Sequence, residues 1–241
     1  MQAIEINNIS KKFKMQGRPF FALKDVNISV PRGEIFALVG PNGSGKTTLL
    51  NIISSMLVPD AGYVKILGKD VQKNRGIIES MSFVSAETRF HWALRVRDVL
   101  NFYGRAYGLS KHERERRIAH LSGFFGIKDI MERRFDALST GERMRLVFAK
   151  SLLNEPKILL MDEPTLGLDP DMALRLRNEV ININKNFSTT VFLTSHYMQE
   201  VERLSKRVAF IYKGRIIKVG KTRKGMENYF IKTMKGLRDE A

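Results

Sequence analysis

The sequence predicts an α/β protein with a mainly parallel sheet and an antiparallel portion near its N-terminus. Strand-like and helix-like segments alternate along the chain, as they do where helices cross over between parallel strands. A glycine-rich turn at residues 40–48 directly follows the apolar run 35–39. A second apolar run, residues 158–161, ends in two carboxylates, Asp162 and Glu163. These three observations favour a sheet whose strand ends carry a binding site.

Length and composition limit the possible classes. The 241 residues are enough to bury a substantial core. The chain has no cysteine, which excludes a disulfide framework, a thiolate metal site and a cysteine nucleophile. The N-terminal residues lack the basic and apolar segments of a signal peptide, and no apolar run approaches the roughly 20 residues that span a bilayer. We therefore expect a soluble or peripheral protein.

The net charge is strongly positive. Lys and Arg number 41 and Asp and Glu number 25, which gives +16. This balance favours a polyanionic partner, such as nucleotide phosphates, nucleic acid or an anionic membrane. The alternative is a well-solvated surface. The basic cluster at residues 111–117 also has acidic side chains four positions from basic ones, which is typical of a self-paired helix face.

The coarse pattern predicts the following elements. Residues 1–40 read as short strands and turns, and residues 95–135 as helical with breaks at Gly108 and Gly123. Three further helices are predicted at residues 47–57, 139–153 and 170–185, with strands at 63–67, 82–85, 158–161 and 189–194 and a hairpin of 209–212 with 215–219.

The glycine-rich turn fits the P-loop pattern. Its residues are Gly40, Pro41, Asn42, Gly43, Ser44, Gly45, Lys46, Thr47 and Thr48. Backbone N–H groups must approach phosphate oxygens closely there, and a Cβ would obstruct them. The following helix points its positive end at the anion. We expect Lys46 to reach the β- and γ-phosphates and the Thr47 hydroxyl to ligate Mg²⁺. A chance glycine turn is the alternative, which the flanking strand and helix disfavour.

The two carboxylates are candidates for metal binding and catalysis. Ligands of α/β sheets bind at the carboxyl ends of parallel strands, where Asp162 and Glu163 are expected. Asp162 would then hold the Mg²⁺ shell, and Glu163 would orient or deprotonate an attacking water. The alternative is an ordinary strand that ends in acidic loop residues.

A third motif precedes the carboxylate strand. Leu138 is followed by Ser139, Thr140, Gly141 and Glu142. Ser139 is a good helix N-cap, and Glu142 three residues later completes a capping box. The motif could be no more than a helix start.

The order of these motifs resembles that of the ATP-binding cassette (ABC) ATPases, the motor domains of ABC transporters. The resemblance covers residues 2–220. It implies a P-loop NTPase (RecA-like) core with an antiparallel β subdomain and an inserted α-helical subdomain. The implied ATP-binding domain is residues 1–220, with the helical subdomain at about 88–150 and a short tail at 221–241.

The resemblance also implies roles for the motifs. Residues 40–48 match the Walker A motif, 138–142 the family signature, and 158–163 Walker B with Glu163 as the catalytic glutamate. Two cassettes of the family pair head to tail, so Ser139, Thr140, Gly141 and Glu142 would bind the partner's ATP. ATP and Mg²⁺ are the implied cofactors.

Three further residues are implied by their positions in the family's pattern. Asp169 matches the D-loop at the dimer seam, although with Pro170 after it Asp169 could be only a helix cap. His196 matches the switch histidine that contacts the γ-phosphate; the alternative is a polar residue satisfied locally. Phe13 matches the aromatic that stacks on adenine; the alternative is a core phenylalanine.

The sequence departs from the family's pattern at two places. Ala86 stands where a Mg²⁺-ligating glutamine is usual, and we hypothesise that Glu87 partly replaces that glutamine. Thr140 and Glu142 stand where Gly and Gln are usual in the signature. Ser139 and Gly141 are kept, so we expect hydrolysis to survive.

The first functional hypothesis is the ATP-hydrolysing subunit of an ABC exporter. Residues 96–109 resemble the helical arm of ABC-2 type exporters. The expected partners are a separate transmembrane permease and a second cassette, with a homodimer forming two sites, peripherally on the cytoplasmic face of the membrane. The alternative is a soluble ABC ATPase acting on nucleic acid or ribosomes; its relatives usually carry two cassettes or long coiled coils, so no nucleic acid is expected. A non-hydrolysing adaptor is disfavoured by Glu163 and His196.

Overall fold

The chain forms two sheets and six α-helices in the part that is described. The computed structural model describes residues 1–15, 17–85, 88–166, 168, 170–226 and 230. The strands are β1 (Gln2–Met15), β2 (Arg18–Pro31), β3 (Ile35–Val39), β4 (Ala61–Ile66), β5 (Lys69–Asp70), β6 (Met81–Ser85), β7 (Ile158–Asp162), β8 (Thr190–Ser195), β9 (Arg207–Tyr212) and β10 (Arg215–Lys221). The helices are α1 (Lys46–Ile53), α2 (Val96–Ala106), α3 (Lys111–Phe124), α4 (Thr140–Leu152), α5 (Pro170–Phe187) and α6 (Met198–Leu204). Short 3₁₀ segments occur at Arg75–Ser80, Lys128–Ile130 and Phe135–Ala137.

The strands of the two sheets run in the predicted directions. The larger sheet has the strand order β10-β9-β3-β8-β7-β6, and its pairs are parallel except for the β9–β10 hairpin. The smaller sheet has the order β2-β1-β4-β5 and is antiparallel throughout. The predicted parallel sheet, antiparallel N-terminal portion and C-terminal hairpin are confirmed.

The central strand β3 is buried on both faces. Every one of its five residues is buried. Ala37 and Val39 pack with the helices α2 to α4, whereas Phe36 and Leu38 pack with the antiparallel sheet and α1. Both faces of a parallel sheet are usually covered in this way, which explains the uninterrupted apolar run.

The parallel arrangement brings three strand ends to one edge. β3 lies beside β8, and β8 lies beside β7, all in parallel. The glycine-rich loop follows β3, the carboxylates end β7, and His196 follows β8. Because parallel strands point the same way, these segments meet at the carboxyl edge of the sheet.

The prediction of short strands was wrong for residues 2–31, whereas the short strand at residues 35–39 is present. β1 and β2 each run for 14 residues and pair with one another. Their ladder contains register shifts, and Asn8 and Asp25 have the positive φ angles 51° and 52°. Bulges interrupt the alternation of apolar residues without ending the strand. The interruptions were therefore interpreted as turns between separate short strands.

Two helix boundaries also differ from the prediction. α1 ends at Ile53 rather than at residue 57, and Ser55 takes a φ of 61°. The break expected at Gly123 is wrong, because α3 continues to Phe124 and Gly126 is the residue with a positive φ, 60°. The break at Gly108 is confirmed, with a φ of 73°.

Within the described residues, no helix combines the length and the apolar character that a membrane span requires.

Candidate active site

A cleft of about 600 Å³ lies at the carboxyl edge of the larger sheet. Its walls come from the β1–β2 hairpin, the glycine-rich loop with the start of α1, and the ends of β6 and β7. The residues that line it are Phe13, Phe20, Ala22, Asn42, Gly43, Gly45, Lys46, Thr47, Thr48, Ser85, Asp162, Glu163 and Leu166.

Glycine is required at three points of the loop between β3 and α1. Gly43 and Gly45 have φ angles of 74° and 106°, a region that side chains disfavour. A Cβ on Gly40 would lie 2.3 Å from the Ile211 carbonyl oxygen. A Cβ on Gly45 would lie 2.5 Å from the Ala22 carbonyl oxygen. Conformation and close packing together therefore fix this loop.

Lys46 begins α1 and is 5% exposed. Its ammonium group donates to the carbonyl oxygens of Gly40 at 2.8 Å and Pro41 at 3.3 Å. It also pairs with Glu163 Oε1 at 3.0 Å. An ammonium has three N–H donors, and these three acceptors satisfy them.

Glu163 links the other functional groups of the edge. Its Oε1 pairs with Lys46, and its Oε2 lies 2.9 Å from His196 Nδ1. Its φ of 42° is left-handed, which costs a non-glycine residue roughly 1–2 kcal/mol. The Glu163 N–H donates to Thr194 Oγ1 at 3.0 Å, which helps to hold this conformation. Strained residues of this kind cluster at functional sites.

Asp162 lies between the start of α1 and the end of β8. Its Oδ2 accepts from the Thr47 hydroxyl at 2.9 Å, and its Oδ1 accepts from the Thr194 hydroxyl at 2.6 Å. Thr194 thus contacts both carboxylate residues, a role that the sequence analysis missed. Hydroxyl and carboxylate oxygens are ligands that Mg²⁺ prefers, so Thr47 and Asp162 suit a magnesium ion shared with phosphate.

The start of α4 has the predicted capping box. The Ser139 N–H donates to Glu142 Oε2 at 2.8 Å, and the Glu142 N–H donates to Ser139 Oγ at 3.3 Å. Arg133, which the sequence analysis did not single out, donates to Glu142 Oε1 at 2.7 Å. Partial burial raises the pKa of Glu142, but the hydrogen bonds from Ser139 and the Arg133 charge outweigh it, so this pKa lies below its ordinary value.

The signature residues do not join the cleft. No residue from 139 to 142 is among the described residues that line it. A Cβ on Gly141 would lie 2.4 Å from Met172 Cε, so the start of α4 packs closely on α5. Within one chain the structure therefore keeps the signature helix and the P-loop cleft separate.

Of the remaining candidate site residues, one lines the cleft and two lie outside the described residues. Phe13 is 37% exposed and lines the cleft, so it is not a core phenylalanine. Glu87 and Asp169 lie outside the described residues. Ala86, the position of the usual glutamine, is outside them as well.

A buried carboxylate supports the turn that carries His196. Glu200 is 1% exposed, and it accepts from the Ser195 hydroxyl at 2.5 Å. Ser195 Oγ in turn accepts from the Tyr197 N–H at 3.0 Å. These bonds bracket His196 on both sides. Burial raises the pKa of Glu200 above its ordinary value, while hydrogen bonds from Ser195 and Thr165 oppose the rise.

The fold and the cleft define a P-loop nucleotide-binding protein. Its glycine-rich loop follows the central strand, and its carboxylates end a strand at the same edge. A sequence profile of the family described as ABC transporter matches residues 23–166. The chain belongs to this family.

Curated and solved relatives agree with the assignment. The ABC transporter ATP-binding protein NatA of Bacillus subtilis (strain 168) is 35% identical over 89% of this chain and 87% of NatA. The probable multidrug ABC transporter ATP-binding protein YbhF of Escherichia coli (strain K12) is 36% identical over 90% of this chain and 37% of YbhF. A dimeric structure of a post-hydrolysis state of the ATP-binding cassette MJ0796 bound to ADP and Pi superimposes with a TM-score of 0.80 at 26% identity, covering 91% of this chain and 99% of that one.

The family and these relatives establish the general activity of the chain, ATP hydrolysis. The chain is an ATPase, which converts ATP and water to ADP and phosphate, and it is an ATP-binding subunit of the ABC transporter class. The predicted P-loop NTPase fold is confirmed.

Replacement of Glu200 by glutamine should make the stability of the folded protein less dependent on pH. Because the Glu200 pKa is raised in the folded state, the folded state binds more protons than the unfolded state just above pH 4.5, the ordinary value. The wild type therefore loses stability as pH rises from there through the raised pKa. Glu200→Gln keeps an acceptor for Ser195 without a buried charge.

Thermal unfolding across this pH range measures the effect. We expect the melting temperature of Glu200→Gln, relative to wild type, to increase with pH and then to level off. Glu115→Gln, which changes an exposed carboxylate on α3, is the matched control and should show a small, pH-independent difference. A Glu200→Gln difference that does not change with pH would contradict the buried-charge explanation.

Proposed function

We propose that this chain is the motor subunit of an ABC exporter and that it acts on a separate transmembrane permease. The observation that carries the motor role is the Lys46–Glu163–His196 series of contacts at the carboxyl edge of the larger sheet. The similarity to YbhF, a probable multidrug ABC transporter ATP-binding protein, supports export.

The nucleotide would bind with its phosphates in the loop of residues 40–48. Backbone N–H groups and the start of α1 attract the anion, and Lys46 exchanges Glu163 for β- and γ-phosphate oxygens. Thr47 and Asp162 would hold Mg²⁺, which neutralises charge on the phosphates when it is bound. Thr194 would orient Asp162 through their hydrogen bond.

Glu163 and His196 would carry out hydrolysis. Once Lys46 binds phosphate, Glu163 is released to hold a water in line with the γ-phosphate. His196 lies within 2.9 Å of Glu163 and would contact the γ-phosphate from the same edge. Lys46 stabilises the negative charge that spreads over the transferring phosphoryl group.

A second copy of the chain would complete each site. The separation of residues 139–142 from the cleft supports a head-to-tail pair, because each signature helix can then face the partner's nucleotide. Ser139 and Gly141 would lie nearest the phosphate, and Arg133 would hold Glu142 and so the helix start. Asp169 would lie at the seam of this dimer.

Glu87 is proposed as a partial replacement for the usual glutamine at the end of β6. Its carboxylate would ligate Mg²⁺ or a water near the γ-phosphate. Unchanged ATP turnover and Mg²⁺ dependence in Glu87→Ala would contradict this role.

The permease would dock on the helical subdomain, at the cytoplasmic face of the membrane. Three large apolar side chains are exposed there: Trp92 at 58%, Leu94 at 37% and Phe102 at 62%. Exposed apolar groups are common at interaction sites.

The net charge of +16 favours the alternative, a soluble ATPase that acts on nucleic acid or ribosomes.

Substitution of Glu163 and Lys46 should separate chemistry from binding. We expect Glu163→Gln to keep ATP binding, to trap the closed dimer and to lose most turnover, because the amide cannot serve as a base. Lys46→Ala should instead lose nucleotide binding, because the phosphate-binding ammonium is removed. ATP binding, phosphate release and oligomeric state measure these effects, and equal turnover of wild type and Glu163→Gln would contradict the assignment.

A pull-down tests the transport proposal. The tagged Glu163→Gln chain, extracted in mild detergent with ATP, should retain a polytopic membrane protein. The tagged Lys46→Ala chain without ATP is the matched control for the closed state. Ribosomes or nucleic acid that survive a salt wash, in place of a membrane protein, would overturn the exporter proposal and favour the alternative.

A further inference from the structure

The β1–β2 hairpin places aromatic residues on both of its faces beside the cleft. Phe13 pairs with Phe20 across the two strands, and the adjacent Lys12 pairs with Phe21. Successive residues of a strand point to opposite faces. The two cross-strand pairs therefore lie on opposite faces of the hairpin.

The Phe13–Phe20 pair faces the nucleotide cleft. Both rings line it, together with Ala22 two residues after Phe20. Their centroids are 6.1 Å apart, and their planes are inclined by 33°. Phe13 is 37% exposed and Phe20 is 43% exposed. The two rings form an open aromatic surface, which we name the Phe13–Phe20 platform.

Phe21 has a different environment although it is exposed to the same extent, 40%. The ammonium of Lys12 lies 4.7 Å from the Phe21 ring centroid, and that of Lys24 lies 5.1 Å from it. Phe21 is not among the described residues that line the cleft. Its ring interacts with cations on the far face, so it is an internal control for Phe20.

Close packing fixes the platform relative to the P-loop. A Cβ on Gly45 would lie 2.5 Å from the Ala22 carbonyl oxygen, and a Cβ on Gly214 would lie 2.7 Å from the same oxygen. The Gly214 N–H donates to the Ser44 carbonyl at 3.0 Å, and the Gly214 carbonyl accepts from the Lys24 N–H at 2.8 Å. Strand β2, the P-loop and the β9–β10 turn are therefore held together by backbone contacts.

We infer that Phe20 is a second base-binding residue and that the base of the bound nucleotide stacks across both rings of the Phe13–Phe20 platform. The inference rests on the proposed function, in which the P-loop binds the phosphates. Aromatic side chains bind bases through the π-face that every base has. A surface two rings wide gives a purine more contact than a pyrimidine, so Phe20 should also contribute to purine preference.

Comparison of ATP with inorganic tripolyphosphate tests this inference in the full-length chain with Mg²⁺. Tripolyphosphate carries the phosphate groups and no base. We expect Phe20→Ala to weaken ATP binding by on the order of tenfold and to leave tripolyphosphate binding unchanged. The preference for ATP over UTP should fall in the same variant. Phe21→Ala, one residue away, should change neither affinity.

Two further variants separate stacking from packing. Phe20→Leu keeps an apolar side chain without a π-face and should behave like Phe20→Ala. Phe20→Trp should retain ATP affinity, and its fluorescence should change on addition of ATP but not of tripolyphosphate; because Trp92 is the single tryptophan of the sequence, wild type provides the background.

The outcomes distinguish failure of this inference from failure of the proposed function. Equal weakening of ATP and tripolyphosphate binding in Phe20→Ala would overturn the base-binding role and indicate a structural one. Unchanged ATP affinity in Phe20→Ala, or an equal loss in Phe21→Ala, would also overturn it. If Lys46→Ala still binds both ligands as wild type does, then the proposed phosphate site itself is wrong.

Discussion

The buried ammonium of Lys46 is the constraint on which the rest of the site depends. A charged group that is 5% exposed must have its donors satisfied, since an unpaired buried charge is strongly destabilising. Two of its acceptors are carbonyl groups of the loop itself, and the third is the Glu163 carboxylate. Only Glu163 is a side chain, so it is the partner that can move away from Lys46. The proposed phosphate-binding group and the proposed base are thereby coupled.

The order of strands makes this coupling possible. β3, β8 and β7 are parallel neighbours, so hydroxyl groups from the start of α1, after β3, and from the end of β8 reach the end of β7. The Thr47 and Thr194 hydroxyls both donate to Asp162, and the Glu163 N–H donates to Thr194. Thr194 joins Asp162 to the Glu163 backbone, and Glu200 braces the turn that follows β8. A change of one residue in the register of β7 would turn Asp162 to the other face of the sheet and break the arrangement.

Much of the fold and several parts of the site could be predicted from sequence because they depend on local patterns. The P-loop, the paired carboxylates and the capping box of Ser139 and Glu142 are short motifs with a physical rationale, and both capping bonds are present. The parallel sheet followed from alternation of elements. These features need no knowledge of what lies across the fold.

The features that sequence reasoning missed depend on contacts that no recognised motif specifies. Arg133 precedes the capping box and donates to Glu142, and Glu200 on α6 accepts from Ser195 at the end of β8. Bulges in β1 and β2 hid two long strands, and with them the register that sets Phe20 opposite Phe13. The consecutive phenylalanines Phe20 and Phe21 were the available sequence signal. They indicate an aromatic platform only once the pairing of β1 with β2 is known.

The affinity of Glu163 variants for a non-hydrolysable ATP analogue tests the coupling most directly. If phosphate and Glu163 compete for Lys46, then both Glu163→Gln and Glu163→Asp should bind the analogue more tightly than wild type. The first variant removes the charge; the second keeps the charge but shortens the side chain that reaches Lys46. If instead Glu163→Asp binds like wild type while Glu163→Gln binds more tightly, simple charge repulsion explains the effect. If neither variant differs from wild type, the ammonium is not exchanged between the two partners, and the account is wrong.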